Sequence, residues 1–385
     1  MEEILFLHNA QNEKTDKNGE RNLMAKKSET FWDKLIVILA VVLLTWELRA
    51  DDFMSFTGEH AELFEAVRKG ELQELESLIA RGKNIFATFA TKQSYPSGLR
   101  SHRQTLLHEA CKWNRLEIIE YLISRLDVNI KDELGITPLM VATVSAKSWS
   151  DDRHEDFNSL TASISSQKIR YLLSKGANPF DKSESGMTLL HYAAMEGLNW
   201  FVEDLIDAKI DPNTSDSRGW TPLHFAVTSG HKHVVEILIR KGANLKAKTE
   251  EGFTLIHLAV GYRHADLVQF LIQNGADVNA KLFDGGETPL HIAVNKSDDP
   301  QIVRLLLANG ALPNIYDFGR GKNTPLYIAV KHNFVESAKI LLEYGADPNI
   351  KNGRGESPSE LAKKNGVSAD LFKNNKPKFT KKKSK

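Results

Sequence analysis

The sequence predicts an all-α repeat solenoid, built from paired antiparallel helices joined by hairpin-like fingers and preceded by one short hydrophobic helix. Three observations lead to this prediction. A tetrapeptide, Thr-(Pro/Leu)-Leu-His, recurs along most of the chain. Its copies are about 33 residues apart, and an apolar run closed by glycine follows most of them. A fixed period of this length is typical of arrays in which each unit buries its apolar face only against its neighbours.

Each unit predicts two short helices. In one copy, Thr221 offers a side-chain oxygen for the N-cap, Pro222 presets φ at the first helical position, and Gly230 favours a left-handed end. Residues 234–239 predict a second helix, which Gly242 closes before an extended finger. The copies and their variants begin at Thr105, Thr137, Thr188, Thr221, Thr254, Thr288, Thr324 and Ser357. Their spacings are 32, 51, 33, 33, 34, 36 and 33, so the period of 33 has one large interruption.

These units resemble the ankyrin repeat. The resemblance rests on Thr-Pro-Leu-His-Phe-Ala at 221–226, Gly-His at 230–231 and Gly-Ala-Asn at 242–244, with related runs in the other copies. It covers about residues 59–365 and implies eight or nine units, with atypical solubilising units at both ends. It also implies a scaffold that binds a protein partner and catalyses no reaction. The composition is similar, by analogy, to that of ankyrin proteins of intracellular bacteria, which are often delivered to host cells.

A hydrophobic segment at 31–50 follows a polar extension at 1–30. Residues 35–46 contain one polar residue, with lysines before them and acids after them, and we expect membrane contact through residues 35–48. Because the run is short for a spanning helix, a cleaved signal and a retained anchor both stay open, as does a start at Met24. The charge asymmetry predicts an array on the non-cytoplasmic side, either membrane-tethered or secreted. Alternatively the segment caps the first repeat and the protein is cytoplasmic.

The recurring histidines invite a metal hypothesis, which their spacing excludes. They are His108, His191, His224, His257 and His291. Neighbours lie one repeat apart, roughly 10 Å, too far to share a metal ion. The resemblance implies instead that they hydrogen-bond between adjacent units. The sequence contains no phosphate-binding loop, nucleophile elbow or His-Glu-x-x-His motif, so we expect no catalytic residue, metal or cofactor. The single cysteine, Cys111, excludes an intramolecular disulfide.

The resemblance places partner contacts on the fingers and on the ends of the first helices, which line a concave face. The first-helix candidates are Met195, Thr228, Tyr262, Lys296 and His332. The finger candidates are Trp220, Phe253, Phe283, Tyr316, Phe318 and Arg320. Aromatic and arginine side chains dominate interface energetics when a partner buries them. The alternative for Trp220 and Phe253 is packing on their own fingers.

Three further segments depart from the period. An insertion near 146–166 holds Trp149 among acidic residues and predicts a partner or cation contact, or a solvated insertion. A long finger spans 84–104, with a turn at 96–98. The tail at 366–385 is basic and predicted to be disordered, since nine lysines between 363 and 385 face a single acid.

The function predicted from these features is a monomeric adaptor that binds a protein partner on its concave face and fingers. The 50 basic and 50 acidic residues cancel, which argues against a nucleic-acid partner. One alternative is a structural or protective scaffold of the cell envelope. A more distant alternative is an enzyme that uses the acidic insertion.

Overall fold

The computed structural model describes residues 60–95, 98–145, 160–283, 286–295, 298–317 and 321–366. The chain divides into two units. Of the first, the described residues are the outer ends of a β-hairpin, 93–95 and 98–100. The second unit holds the seventeen helices of the described residues.

The helices occur in consecutive pairs, and each pair forms one repeat. Repeats 1 to 4 contain α1 (Ala61–Lys69) and α2 (Leu72–Ala80), α3 (Leu106–Lys112) and α4 (Leu116–Ile123), α5 (Pro138–Val144) and α6 (Leu160–Ser174), and α7 (Leu189–Glu196) and α8 (Asn199–Asp207). Repeats 5 to 9 contain α9 (Pro222–Thr228) and α10 (Lys232–Arg240), α11 (Leu255–Gly261) and α12 (Ala265–Gln273), α13 (Pro289–Ala293) and α14 (Pro300–Ala308), α15 (Pro325–Lys331) and α16 (Val335–Glu343), and α17 (Pro358–Lys364). The predicted all-α repeat solenoid is confirmed.

The first helices begin as the tetrapeptide predicts. Thr221 is extended, with φ −98° and ψ 164°, and Pro222 is the first residue of α9. The threonine side chain accepts the backbone N–H of the third helical residue, so one of the unpaired amides at the helix start is satisfied. Gly197, at φ 74°, ends α7 in the left-handed conformation. The chain can therefore reverse within two residues and start α8.

Apolar side chains of both helices form one core that continues from repeat to repeat. Helix α7 contacts α9, and α8 contacts α10. Leu190, Leu205, Leu223 and Leu238 are buried between them. Burial of one such side chain stabilises the fold by about 1.5–3 kcal/mol. Since each apolar face is covered by the next repeat, the stability of a unit depends on its neighbours.

A β-hairpin follows repeat 1. Strands β1 (Thr88–Tyr95) and β2 (Gly98–Thr105) pair in a two-stranded sheet, within the long finger predicted at 84–104. The shorter fingers carry only single bridges, between Lys182 and Thr188 and between Lys248 and Thr254.

In the third repeat, the predicted insertion at 146–166 is helical in its last part. Helix α6 has 15 residues and begins at Leu160, so residues 160–166 are helical and not part of a loop between helices. No glycine or proline separates them from the apolar run of the second helix, and the helix therefore continues through them. Residues 146–159, with Trp149, lie outside the described residues.

The predicted membrane segment at 35–48 and the tail from residue 367 also lie outside the described residues. Within the part of the chain that the structure describes, no helix combines the length and apolar character needed to cross a bilayer.

Candidate partner-binding surface

A histidine in the first helix joins each of several repeats to the next one. Nδ1 of His191 accepts the backbone N–H of Thr188 at 3.0 Å and lies 2.9 Å from its Oγ1. Nε2 of the same ring lies 3.1 Å from the carbonyl oxygen of Trp220 in repeat 5. His108, His257 and His291 repeat this pattern, with the carbonyls of Ile136, Ala280 and Asn323 at 3.0, 3.0 and 3.3 Å. This contact, the histidine strut, confirms the predicted bonding between units.

The strut fixes the protonation of the imidazole. A carbonyl oxygen only accepts hydrogen bonds, so Nε2 carries the proton and Nδ1 is the acceptor. Burial is the main cause that lowers the pKa of His191, His224, His257 and His291 to about 4. The rings are therefore neutral at pH 7.

In three repeats the histidine strut is missing or is made by another residue. Nε2 of His224 is buried without a hydrogen-bond partner of ordinary geometry, although the carbonyls of Ala247 and Phe253 lie near it. Met140 takes the histidine position in repeat 3 and is buried. Tyr327 takes it in repeat 8 and donates its hydroxyl to Oε2 of Glu356 at 2.7 Å. A longer side chain can thus make the same connection.

A second contact, the asparagine strut, joins the loops that follow the second helices. Nδ2 of Asn279 donates to the carbonyl of Gly310 at 3.1 Å, and its Oδ1 accepts the N–H of Leu312 at 2.9 Å. Asn129, Asn213 and Asn314 bind the next loop in the same way. The tetrapeptide gives no indication of this contact, although the asparagine recurs four residues after the loop glycine, as in Gly275-Ala-Asp-Val-Asn279.

A third contact, the return strut, runs from the start of the second helix in one repeat to the end of the first helix in the preceding repeat. Nε2 of His231 lies 3.0 Å from the carbonyl of Met195, and Nε2 of His264 lies 3.0 Å from that of Thr228. Arg115 binds the carbonyl of Arg68 with two nitrogens, at 3.0 and 2.6 Å.

Between repeats 2 and 3, Lys168 makes the return strut from inside the core. Its Nζ donates to the carbonyl of Cys111 at 3.0 Å and to Oγ of Ser145 at 2.8 Å. Burial lowers the pKa of Lys168 to about 8 and raises that of the Cys111 thiol to about 12. A protonated, buried thiol is a poor nucleophile, so Cys111 is a structural residue.

Four predicted contact residues belong to this framework and are not at the surface. They are Met195, Thr228, Trp220 and Phe253, all buried. The ring of Trp220 lies 5.3 Å from that of Phe225, and the ring of Phe253 lies 6.5 Å from that of His257. Both aromatic rings therefore pack against the first helix of their own repeat, whereas the predicted alternative was packing on their own fingers. Oγ1 of Thr228 donates within its own helix, to the carbonyls of His224 and Phe225. We remove these four residues from the candidate surface.

Two first-helix candidates remain at the edge of the surface. Tyr262 is half-buried, its ring stacks on His264 at 6.4 Å, and burial raises the pKa of its hydroxyl. His332 is exposed and stacks on Phe334 at 5.5 Å.

Two finger candidates present aromatic rings to solvent. Phe283 is 65% exposed and Tyr316 is 39% exposed. Nζ of Lys248 lies 5.5 Å from the centre of the Phe283 ring, and the Tyr316 hydroxyl donates to the carbonyl of Lys351 at 3.2 Å. A Cβ at Gly252 would lie 2.8 Å from Cγ of Phe283, so the ring rests directly on the backbone of the preceding finger.

The remaining candidates, Trp149, Lys296, Phe318 and Arg320, lie outside the described residues. Among the residues that are described, no cluster of three or more histidine, cysteine, aspartate or glutamate side chains is placed to hold a metal ion.

The repeat geometry agrees with a comparison of the sequence with protein families. A family model described as "Ankyrin repeats (3 copies)" matches residues 63–150, 190–282 and 281–352, more than half of the chain. A search among curated proteins gives no match. Ankyrin repeats generally mediate protein–protein interactions, and proteins built from them are typically scaffolds and not enzymes. The chain belongs to the ankyrin-repeat family.

Proposed function

We propose that this chain is a non-catalytic adaptor that binds a protein partner on its fingers and on the ends of its first helices. The observation that carries the proposal is the exposure of Phe283 and Tyr316 on adjacent fingers, whereas the finger candidates Trp220 and Phe253 are buried. Aromatic rings at the surface supply large contact area at low entropic cost when a partner covers them.

The buried titratable groups support a binding role over a catalytic one. The first-helix histidines and Lys168 are engaged with the backbone of neighbouring repeats, or buried beside it in the case of His224. Cys111 is buried and its thiol is protonated at neutral pH. All of these groups are buried in the core.

Affinity capture with the full chain tests the proposal. We expect Phe283→Ser combined with Tyr316→Ser to reduce capture of a protein partner at least tenfold, because the variant removes the exposed aromatic area. Phe86→Ser combined with Phe180→Ser is the matched control, since these rings are 65% and 56% exposed but lie outside the two fingers of Phe283 and Tyr316. Equal capture by both variants, at unchanged melting temperature, would place the contact elsewhere.

We further propose that residues 35–48 attach the protein to a membrane, with the array on the non-cytoplasmic side. The support is the apolar run at 35–46, flanked by lysines before it and acids after it. Carbonate extraction of membranes should retain the full chain and release a variant that lacks residues 31–50. Protease treatment of sealed vesicles reports the side of the array. A full chain found in the soluble fraction at its unprocessed mass would contradict this proposal.

A further inference from the structure

The junction between repeats 3 and 4 contains none of the three struts. Met140 occupies the position of the histidine strut, Phe180 that of the asparagine strut, and Leu198 that of the return strut. These three side chains have no N–H or O–H group to donate, so none can bind the backbone of the neighbouring repeat.

Every other junction among the described repeats keeps at least one polar side-chain connection. Repeats 4 and 5 are joined by all three struts, through His191, Asn213 and His231. Repeats 2 and 3 also have three, through His108, Asn129 and Lys168. Arg115 joins repeats 1 and 2, His264 joins repeats 5 and 6, and Tyr327 joins repeats 8 and 9. His257 and Asn279 join repeats 6 and 7, and His291 and Asn314 join repeats 7 and 8.

Among the described residues, three contacts between repeats 3 and 4 lie at the surface or in the finger backbone. The N–H of Glu184 donates to the carbonyl of Leu134 at 2.9 Å. Lys131 forms an ion pair with Asp181 at 2.8 Å, and the Arg170 guanidinium lies 5.3 Å from the Trp200 ring. Exposed pairs of this kind contribute little to stability. Without the three struts, the apolar contact between α5 and α7 carries more of the stability of this junction.

We infer that this junction is a hinge that divides the array into two cooperative blocks, repeats 1–3 and repeats 4–9. In a repeat array, unfolding spreads through nearest-neighbour interfaces, and the weakest interface sets the boundary between cooperative units. Apolar packing tolerates rotation of one repeat on the next better than directional hydrogen bonds do. The first block can therefore change its angle, or open, while the second keeps its structure.

Hydrogen exchange of the full chain across a urea gradient tests the hinge. We expect a step in amide protection between peptides of α5–α6 and peptides of α7–α8, with repeats 4–8 protected to higher urea. Cys111 gives an independent readout, because it is the only cysteine of the chain and is buried in the first block. A thiol reagent should modify it at urea concentrations that leave amides of α9–α16 protected.

Variants that restore the struts should couple the blocks. Met140→His, Phe180→Asn and Leu198→His together are expected to slow Cys111 modification at least tenfold at a fixed urea concentration. Phe180→Asn alone changes only an exposed side chain, so it gives a smaller slowing even if the triple variant does not fold. Lys246→Asn is the matched control: it adds an asparagine at the same loop position within the second block and should leave Cys111 modification unchanged.

Two outcomes would overturn the hinge. The first is a loss of protection in all repeats at the same urea concentration. The second is a folded strut-restoring variant, Phe180→Asn included, whose Cys111 modification rate equals that of the unchanged protein.

Discussion

Lys209 has a left-handed backbone conformation at a loop position that glycine occupies in several other repeats. Its φ is 73°. The residues at the same position in five other loops are Gly176, Gly242, Gly275, Gly310 and Gly345. A left-handed conformation costs an L-residue about 1–2 kcal/mol, and the greater freedom of glycine in the unfolded chain offsets part of the gain. We expect Lys209→Gly to raise the free energy of unfolding by about 0.5–1 kcal/mol, measured from the urea midpoint.

Lys175→Gly is the control for this change. Lys175 is exposed like Lys209 but is not among the residues with positive φ. Glycine there adds freedom to the unfolded chain and relieves no strain, so the urea midpoint should fall. A gain of equal size at both positions would show that backbone strain at Lys209 is not the cause.

Lys168 is a buried ammonium whose hydrogen-bond acceptors within the described residues are neutral oxygens of Cys111 and Ser145. Both acceptors lie at the carboxyl ends of helices α3 and α5, where the helix dipole favours a cation. Burial nevertheless lowers the pKa from 10.5 to about 8. Between these two values the unfolded chain binds more protons than the folded chain, so the free energy of unfolding rises with pH.

We expect this rise to amount to about 1 kcal/mol between pH 8 and 9, and Lys168→Met to abolish it. Above pH 9 the thiol of Cys111 acts in the opposite direction, because its pKa is raised from 9.0 to about 12 in the folded chain. Urea midpoints at pH 8.0 and 9.0 measure the effect. Cys111→Ala is the control and should retain the rise. A rise that persists in Lys168→Met would belong to another group.

At the scale of the element, one asparagine satisfies two backbone groups of the next loop. The Asn279 side chain binds the carbonyl of Gly310 and the N–H of Leu312. A net hydrogen bond contributes about 0.5–1.5 kcal/mol, so Asn279→Ala should lower the free energy of unfolding by about 1–3 kcal/mol. The urea midpoint measures the loss, and faster hydrogen exchange of the Leu312 amide locates it.

Lys246→Ala is the control for the asparagine strut. Lys246 holds the same loop position as Asn279, is exposed, and makes no hydrogen bond to the next loop in the described structure. Its removal should change the midpoint by less than about 0.5 kcal/mol. A loss as large as that of Asn279→Ala would mean that the position matters for a reason other than the strut.

The helices were predictable from the sequence because their signals are local. Thr221, Pro222 and Gly230 specify the start and end of α9 within ten residues. The burial of Trp220 was not predictable in the same way. It depends on Phe225 and on the neighbouring repeats, whose positions follow only from the stacked array. The finger candidates therefore separated into buried and exposed residues only in the structure, where Phe283 stands on the glycine of the preceding finger.

At the scale of the whole molecule, the spacing of the histidines in the sequence predicts which repeats they connect. The differences between these connections appear only in the structure. The tetrapeptide predicts a strut wherever histidine stands in its fourth position. It does not show that Nε2 of His224 lacks a hydrogen-bond partner of ordinary geometry, or that the Glu356 carboxylate accepts a hydrogen bond from the Tyr327 hydroxyl. Such differences arise from contacts about 30 residues away along the chain. They make the array unequal along its length although its repeats look alike.

The four neutral histidines make the stability of the array depend on acid. The pKa of His191, His224, His257 and His291 is about 4 in the folded chain and 6.5 ordinarily. Between pH 6.5 and 4 the unfolded chain therefore binds more protons, and the free energy of unfolding falls as the pH falls. At pH 7 and above this contribution is fully present. Each histidine adds at most about 1.4 kcal/mol per pH unit to the slope.

Urea midpoints at pH 7.5, 6.5, 5.5 and 4.5 measure this slope, and His291→Gln tests its origin. The variant removes one buried group that titrates on unfolding, so between pH 6.5 and 5 the slope should fall by up to about 1.4 kcal/mol per pH unit, even though the strut to Asn323 is weakened at every pH. His233→Gln is the matched control, because the His233 side chain is 81% exposed. If both variants keep the original slope, buried carboxylates and not the histidine struts set the acid limit of the fold.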